Sequence, residues 1–191
     1  MHKNIILAGV GGQGILTIAA IIDLAAMNSG LKVKQAEVHG MSQRGGAVES
    51  HLRISDEIIY SDLIPLGAAD LILSVEPMEA LRYVPFLSSQ GLIVTSTEPF
   101  ENIANYPDPQ NIRSAIENTG RCVFVDAGSL AREIGNVKTY NIIMLGAASP
   151  HIGIAKERLE ESIEALFRRK GKALVDLNLK AFHKGLELAM N

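Results

Sequence analysis

"NIILAGVGGQGILTIAAIIDLAAMNSG", residues 4–30, is the stretch on which the fold turns. Its first part, NIILAGV, is a short apolar run stopped by glycines, the pattern of a buried strand. The part after Gly14 is long and rich in Ala, Leu and Ile, which predicts a helix ending near Asn28–Gly30. Only Thr17 and Asp23 interrupt its apolar character. A helix that apolar is buried on more than one side, so the sheet must cover one side and a second helix or another protein the rest. Between strand and helix, Gly9, Gly11 and Gly14 have the spacing G-x-G-x-x-G. Strand, tight glycine turn and helix in this order open a βαβ unit.

The pattern continues outward. LKVKQAEV (31–38) reads as a second strand, and AVESHLRIS (47–55) as a half-buried third, with Val48, Ser50, Leu52 and Ile54 alternating against Glu49, His51 and Arg53. SDE (55–57) reads as a turn into EIIYSDLI (57–64), an expected antiparallel neighbour. ADLILSVE (69–76), GLIVTST (91–97) and RCVFVDA (121–127) are further strands. Helices are expected over PMEALRYVPFL (77–87), QNIRSAIENTG (110–120), GSLAREIG (128–135), TYNIIMLGAAS (139–149), AKERLEESIEALFRRK (155–170) and about 177–190, with a Pro- and Asn-rich loop at 98–110. Strands alternating with helices predict a three-layer α/β/α fold, Rossmann-like, with a mainly parallel sheet and an antiparallel portion. The 191 residues are expected to form one domain, 1–191.

Composition excludes several classes. Net charge is −3, which disfavours non-specific nucleic-acid binding. The single cysteine, Cys122, permits no internal disulfide and suits a reducing cytoplasm. It also cannot hold an iron–sulfur cluster, which takes about four thiolates. No apolar run reaches the roughly 18 residues of a membrane span, and the N-terminus lacks a signal-peptide pattern. The five histidines have no metal-ligand spacing, so no metal is expected.

Two glycine-rich segments carry the candidate chemistry. In GVGGQG, Gly11, Gly12, Gln13 and Gly14 lead into the N-terminus of a helix, where backbone N–H groups attract an anion or a dinucleotide. The acid that a nicotinamide site wants lies about 20 residues on; Glu37 comes later, and Lys34 and Gln35 hold the nearer positions. In HGMSQRGG (39–46), glycines allow unusual backbone shapes and Arg44 offers a planar cationic fork to a carboxylate or phosphate. Loops at the carboxyl ends of parallel strands meet in one crevice, so the two segments should face each other. His51, on its strand, reads as structural, and Cys122 as core.

GVGGQGIL (9–16), EVHGMSQRGGAVESHLRI (37–54), YSDLIPLGAADLIL (60–73), EPMEALRYVPFL (76–87) and NIIMLGA (141–147) together resemble the gamma domain of 2-oxoacid:ferredoxin oxidoreductases, in the form found in the indolepyruvate type. The resemblance runs from about residue 4 to residue 148. It implies CoA-dependent oxidative decarboxylation of a 2-oxoacid, an aryl pyruvate such as indolepyruvate, with electrons passed to ferredoxin. It implies a large alpha subunit as partner, holding thiamine diphosphate, magnesium and the iron–sulfur clusters, with ferredoxin reached through that subunit. This chain alone is expected to bind no cofactor and to carry no catalytic residue. Gly11, Gly12, Gln13 and Gly14, with His39, Gly40, Met41, Ser42, Gln43, Arg44, Gly45 and Gly46, are implied to line a composite site and contact coenzyme A or the substrate. Two other readings stay open on the residues: a stand-alone NAD(P)-binding oxidoreductase, and a non-catalytic assembly subunit.

Overall fold

The computed structural model describes residues 1–40, 45–101 and 103–190. Six strands form one sheet in the order β2-β3-β1-β4-β5-β6: β1 (His2–Val10), β2 (Lys32–His39), β3 (Ala47–Ser55), β4 (Ala69–Ser74), β5 (Leu87–Ser96) and β6 (Cys122–Val125). The β1–β4, β4–β5 and β5–β6 pairs are parallel. β3 runs against both of its neighbours, β1 and β2. The sheet is therefore mostly parallel, with one reversed strand inserted between β1 and β2.

Alternation along the strands divides the core into two layers. Ile5, Leu7, Leu71, Leu73, Leu92 and Val94 face one side. There they meet α1 (Ile15–Asn28), α4 (Ala127–Ile134), α5 (Tyr140–Ile152), α6 (Lys156–Phe167) and α7 (Lys172–Met190). Ile6, Ala8, Ile72 and Ile93 face α2 (Pro77–Arg82) and α3 (Pro109–Glu117) on the other side. Each fully buried aliphatic side chain contributes roughly 2 kcal/mol. The apolar α1 is covered on its outer side by the amphipathic α6 through Leu159 and Ile163, so much of its burial comes from within the chain; Leu16 and Met27 stay exposed.

The most enclosed helix, α5, is buried from Asn141 through Ser149. α7 closes over it where Gly146 meets Gly185. A Cβ on Gly146 would stand 2.0 Å from the Phe182 carbonyl oxygen, and one on Gly185 1.9 Å from that of Ile143. Only hydrogen at both positions lets the two backbones approach this closely.

Several boundaries differ from expectation: α2 ends at Arg82 rather than 87, and β5 begins at Leu87 rather than 91. α7 begins at Lys172 rather than near 177, because the Gly171 carbonyl accepts from the amides of Leu174 and Val175 and starts the helix early. Residues 57–64 form no strand. Both edges of β3 are already paired, so this segment has no ladder to join, and the antiparallel portion is built by β3 with β1 and β2 instead. The segment lies as a strap over the α2-side face of β2 and β3. Side chains of those strands hold it: Lys34 donates to the Tyr60 carbonyl at 3.3 Å and Arg53 to the Ser61 carbonyl at 2.9 Å. His51, on the face expected to be the polar one, is buried beneath the strap and accepts the Ile64 amide on Nδ1 at 3.1 Å. Burial lowers its pKa, opposed by Glu49 and Asp62, which suits a neutral acceptor. Ile59 and Ile64 point inward, while Ile58, Tyr60, Leu63 and Leu66 point out.

Candidate functional site

The strand order reverses direction between β1 and β4: the chain leaves β1 toward β2 on one side, and proceeds from β4 to β5 and β6 on the other. In open α/β sheets ligands bind outside the carboxyl ends of the strands at this point. A crevice of about 410 Å³ lies there. Gly11, Gly12 and Gln13 after β1, Val75 after β4, and Ser96 at the end of β5 border it. Pro99, Phe100 and the ion pair of Glu98 with Arg132, 2.7 Å long, form its outer rim. Both partners of that pair are about half exposed, so it orders the rim more than it stabilises the fold.

The glycine turn is built by its own hydrogen bonds. The Gln13 amide donates to the Val10 carbonyl at 3.1 Å, and the Gln13 side-chain oxygen accepts from the Val10 amide at 2.8 Å. Gly14 caps α1 with φ 79°, the left-handed conformation that favours glycine. From α5, the Tyr140 hydroxyl donates to the Gln13 carbonyl at 2.8 Å and the Asn141 side chain donates to the Gly14 carbonyl at 3.1 Å. Burial pushes the Tyr140 phenol up, so it remains a neutral donor.

These bonds trim the simplest anion-cradle picture. The Gly11 amide donates to the Gly46 carbonyl at 2.8 Å, and the Gln13 amide is already used by Val10. α1 has no side-chain cap, so the amides of Ile15 and Leu16 in its first turn are the donors left at the helix end.

The bond from Gly11 to Gly46 also brings the two glycine segments together, as their positions on adjacent strand ends require. His39 closes β2, with Nε2 3.3 Å from a Glu37 oxygen. It borders a second cavity of about 320 Å³ together with Gly11, Gly12, Gly14 and Val48. The Gly40 amide donates to the Ala47 carbonyl at 2.9 Å, and Gly45 has φ 78°. Met41, Ser42, Gln43 and Arg44, the cation among them, lie outside the described residues. A third groove, about 630 Å³, opens beyond Tyr140 and is flanked by Lys138 and Lys170. Gly12 borders all three spaces, which makes it the hinge point of the site.

Tyr140, Asn141, Glu98, Phe100 and Arg132 escape a reading of the sequence. The one local cue was polar TYN at the head of the otherwise apolar NIIMLGAAS. Among the described residues, no group of three His, Cys, Asp or Glu side chains gathers to hold a metal. Cys122 lies partly buried in β6, its thiol pushed up by burial. This donor set does not fit an iron–sulfur cluster.

Comparison with known proteins places this arrangement. Residues 4–188 match the family model described as pyruvate ferredoxin/flavodoxin oxidoreductase. A protein of Pyrococcus horikoshii named indolepyruvate oxidoreductase subunit IorB is 41% identical over 196 residues, covering 97% of this chain and 95% of its own. The crystal structure of a keto/oxoacid ferredoxin oxidoreductase gamma subunit from Geobacter sulfurreducens has the same fold, with a TM-score of 0.73, 26% identity and 98% of each chain covered. A 2-oxoglutarate:ferredoxin oxidoreductase from Magnetococcus marinus shares the fold with a TM-score of 0.81 and 24% identity; the match spans 99% of this chain and 31% of that one. The chain, with its glycine turn at the switch point of the sheet, belongs to the pyruvate ferredoxin/flavodoxin oxidoreductase family.

Proposed function

We propose that the chain acts throughout its length as one gamma-type domain, the small subunit of an indolepyruvate-type 2-oxoacid:ferredoxin oxidoreductase. The observation that carries this reading is the crevice at the β1/β4 switch point, floored by Gly11, Gly12 and Gln13, in a chain 41% identical over nearly its full length to an indolepyruvate oxidoreductase subunit. The partner is a large alpha subunit in the cytoplasm, which reduces ferredoxin. Thiamine diphosphate, with magnesium, supplies the carbanion chemistry in that subunit, and iron–sulfur clusters carry the electrons.

The residues of this chain bind and orient. Coenzyme A enters the crevice as co-substrate. The glycines let its chain lie close to the backbone, and in the adjoining cavity, which shares Gly11 and Gly12 with the crevice, the Ile15 and Leu16 amides with the α1 dipole face its anionic part. Phe100 packs against its apolar arm at the rim. His39 borders that adjoining cavity, and Arg44 is the cation offered to a phosphate or the substrate carboxylate. No residue here moves a proton, so the chain alone is inactive.

Co-expression with the large subunit tests this. The expected result is a stable complex that reduces ferredoxin only when an aryl pyruvate and coenzyme A are both present. Failure to co-purify, or full activity of the large subunit alone, overturns the reading. Stoichiometric NADH or NADPH binding by the purified chain would favour a stand-alone nicotinamide enzyme.

A further inference from the structure

Glu76 lies two residues beyond the end of β4 and is fully buried, at 0% exposure. A buried carboxylate is costly unless its oxygens are met by donors. Here they are met from two different segments. One oxygen accepts from the Glu79 amide at 2.7 Å and caps α2. The other accepts from the Phe100 amide at 3.2 Å and from the Tyr106 hydroxyl. Capping alone needs only the reach of Asp, Asn or Ser. The longer Glu side chain turns its second oxygen away from the helix, toward the segment between β5 and α3.

That segment forms one wall of the crevice, through Glu98, Pro99 and Phe100. Among its described residues it contains no helix or strand between Ser96, which ends β5, and Pro109, which begins α3, and it carries two prolines before the Asp108 cap, so it makes few ladder bonds of its own. Its placement depends on what it is tied to. Burial pushes the Tyr106 phenol up, which keeps it a neutral donor to the carboxylate. Hydrogen bonds to an ionised acceptor are the stronger kind.

We propose that Glu76 is a positioning residue: its carboxylate fastens the 98–106 segment through Phe100 and Tyr106 and so sets the wall of the crevice against which the ligand packs. That the ligand is coenzyme A rests on the function proposed above. The same carboxylate caps the start of α2, so the segment and that helix are tied to one buried group.

The test uses the complex with the large subunit and two variants, Glu76→Gln and Tyr106→Phe. The first keeps one acceptor and loses the other. The second removes only the phenol donor and preserves folding even where the buried amide does not. Hydrogen exchange at the amides of Glu98, Phe100, Glu101 and residues 103–106 should speed up about tenfold in both, while β4 and β5 keep their protection. KM for coenzyme A should rise several-fold with kcat little changed. Unchanged exchange in that segment, or a uniform rise across β4, β5 and α2, overturns the positioning role. Faster exchange confined to the segment with KM for coenzyme A unaltered upholds the positioning role and overturns coenzyme A as occupant of the crevice.

Discussion

The Tyr140 hydroxyl donates to the Gln13 carbonyl at 2.8 Å, joining the first turn of α5 to the glycine turn across 127 positions of sequence. One residue on, Asn141 repeats the connection to Gly14. The turn is thus held from α5, the most enclosed helix of the fold. Tyr140→Phe should cost about 1 kcal/mol, read from the urea midpoint. In the complex it should raise KM for coenzyme A several-fold, because the loosened turn no longer presents the α1 amides in place.

Gly14→Ala meets two obstacles. The residue has φ 79°, and an added Cβ would lie 2.4 Å from the Asn141 side-chain nitrogen. The substitution should cost about 2–3 kcal/mol. Asn141→Ala in the same chain removes the collision and leaves the backbone strain. The double variant should therefore be about 1 kcal/mol more stable than the two single changes predict together, as a double-mutant cycle of denaturation would show.

At the contact of α5 with α7, helix propensity and packing pull in opposite directions. Alanine favours a helix interior over glycine by about 1 kcal/mol. A Cβ on Gly185 would stand 1.9 Å from a backbone oxygen that has no room to retreat. Packing wins, and Gly185→Ala should destabilise by more than about 3 kcal/mol or detach α7. Lys180→Ala, on the exposed side of the same helix, should stay within about 0.5 kcal/mol. Thermal melts followed by circular dichroism compare the two.

Asp23 makes stability fall with rising pH. Burial, aided by Glu37, raises its pKa from 3.8 to about 6, and its Oδ1 is buried with no hydrogen-bond partner. Between the unfolded and folded values the native chain holds more protons than the unfolded one, so stability declines as pH rises through about 4 to 6. Asp23→Asn should remove that decline. Above pH 6 it should be more stable than the parent by about 1–2 kcal/mol, after discounting for partial exposure. Urea midpoints at several pH values decide it.

The sheet was legible wherever burial imposed a period. NIILAGV, ADLILSVE and GLIVTST each became a strand because both faces are covered and the run is uniformly apolar. EIIYSDLI misled because it does bury apolar side chains, though not with a strand's alternation. Ile59 and Ile64 do face the core, but the backbone groups bond to His51, Lys34 and Arg53 rather than to a strand. Periodicity reports which side is buried, not what the amides bond to. The glycine turn was visible because φ above zero demands a particular residue. Tyr140 and Glu76 were not, since each acts on a segment distant in sequence and nothing local requires it.

The reversed strand is held in register from both sides. The ladder runs unbroken from Lys32 opposite Ser55 to His39 opposite Val48, and continues in the Gly40 amide bonded to Ala47. β3 is locked on its other side to β1, up to Val10 opposite Ala47. A slip of β3 by one position against either neighbour would turn every side chain of the slipped strand to the other face. Leu52 and Ile54 would turn to the strap, and Arg53 into the apolar layer under α1. The paired ladders on both sides of β3 thus decide which of its faces meets the strap and which meets α1.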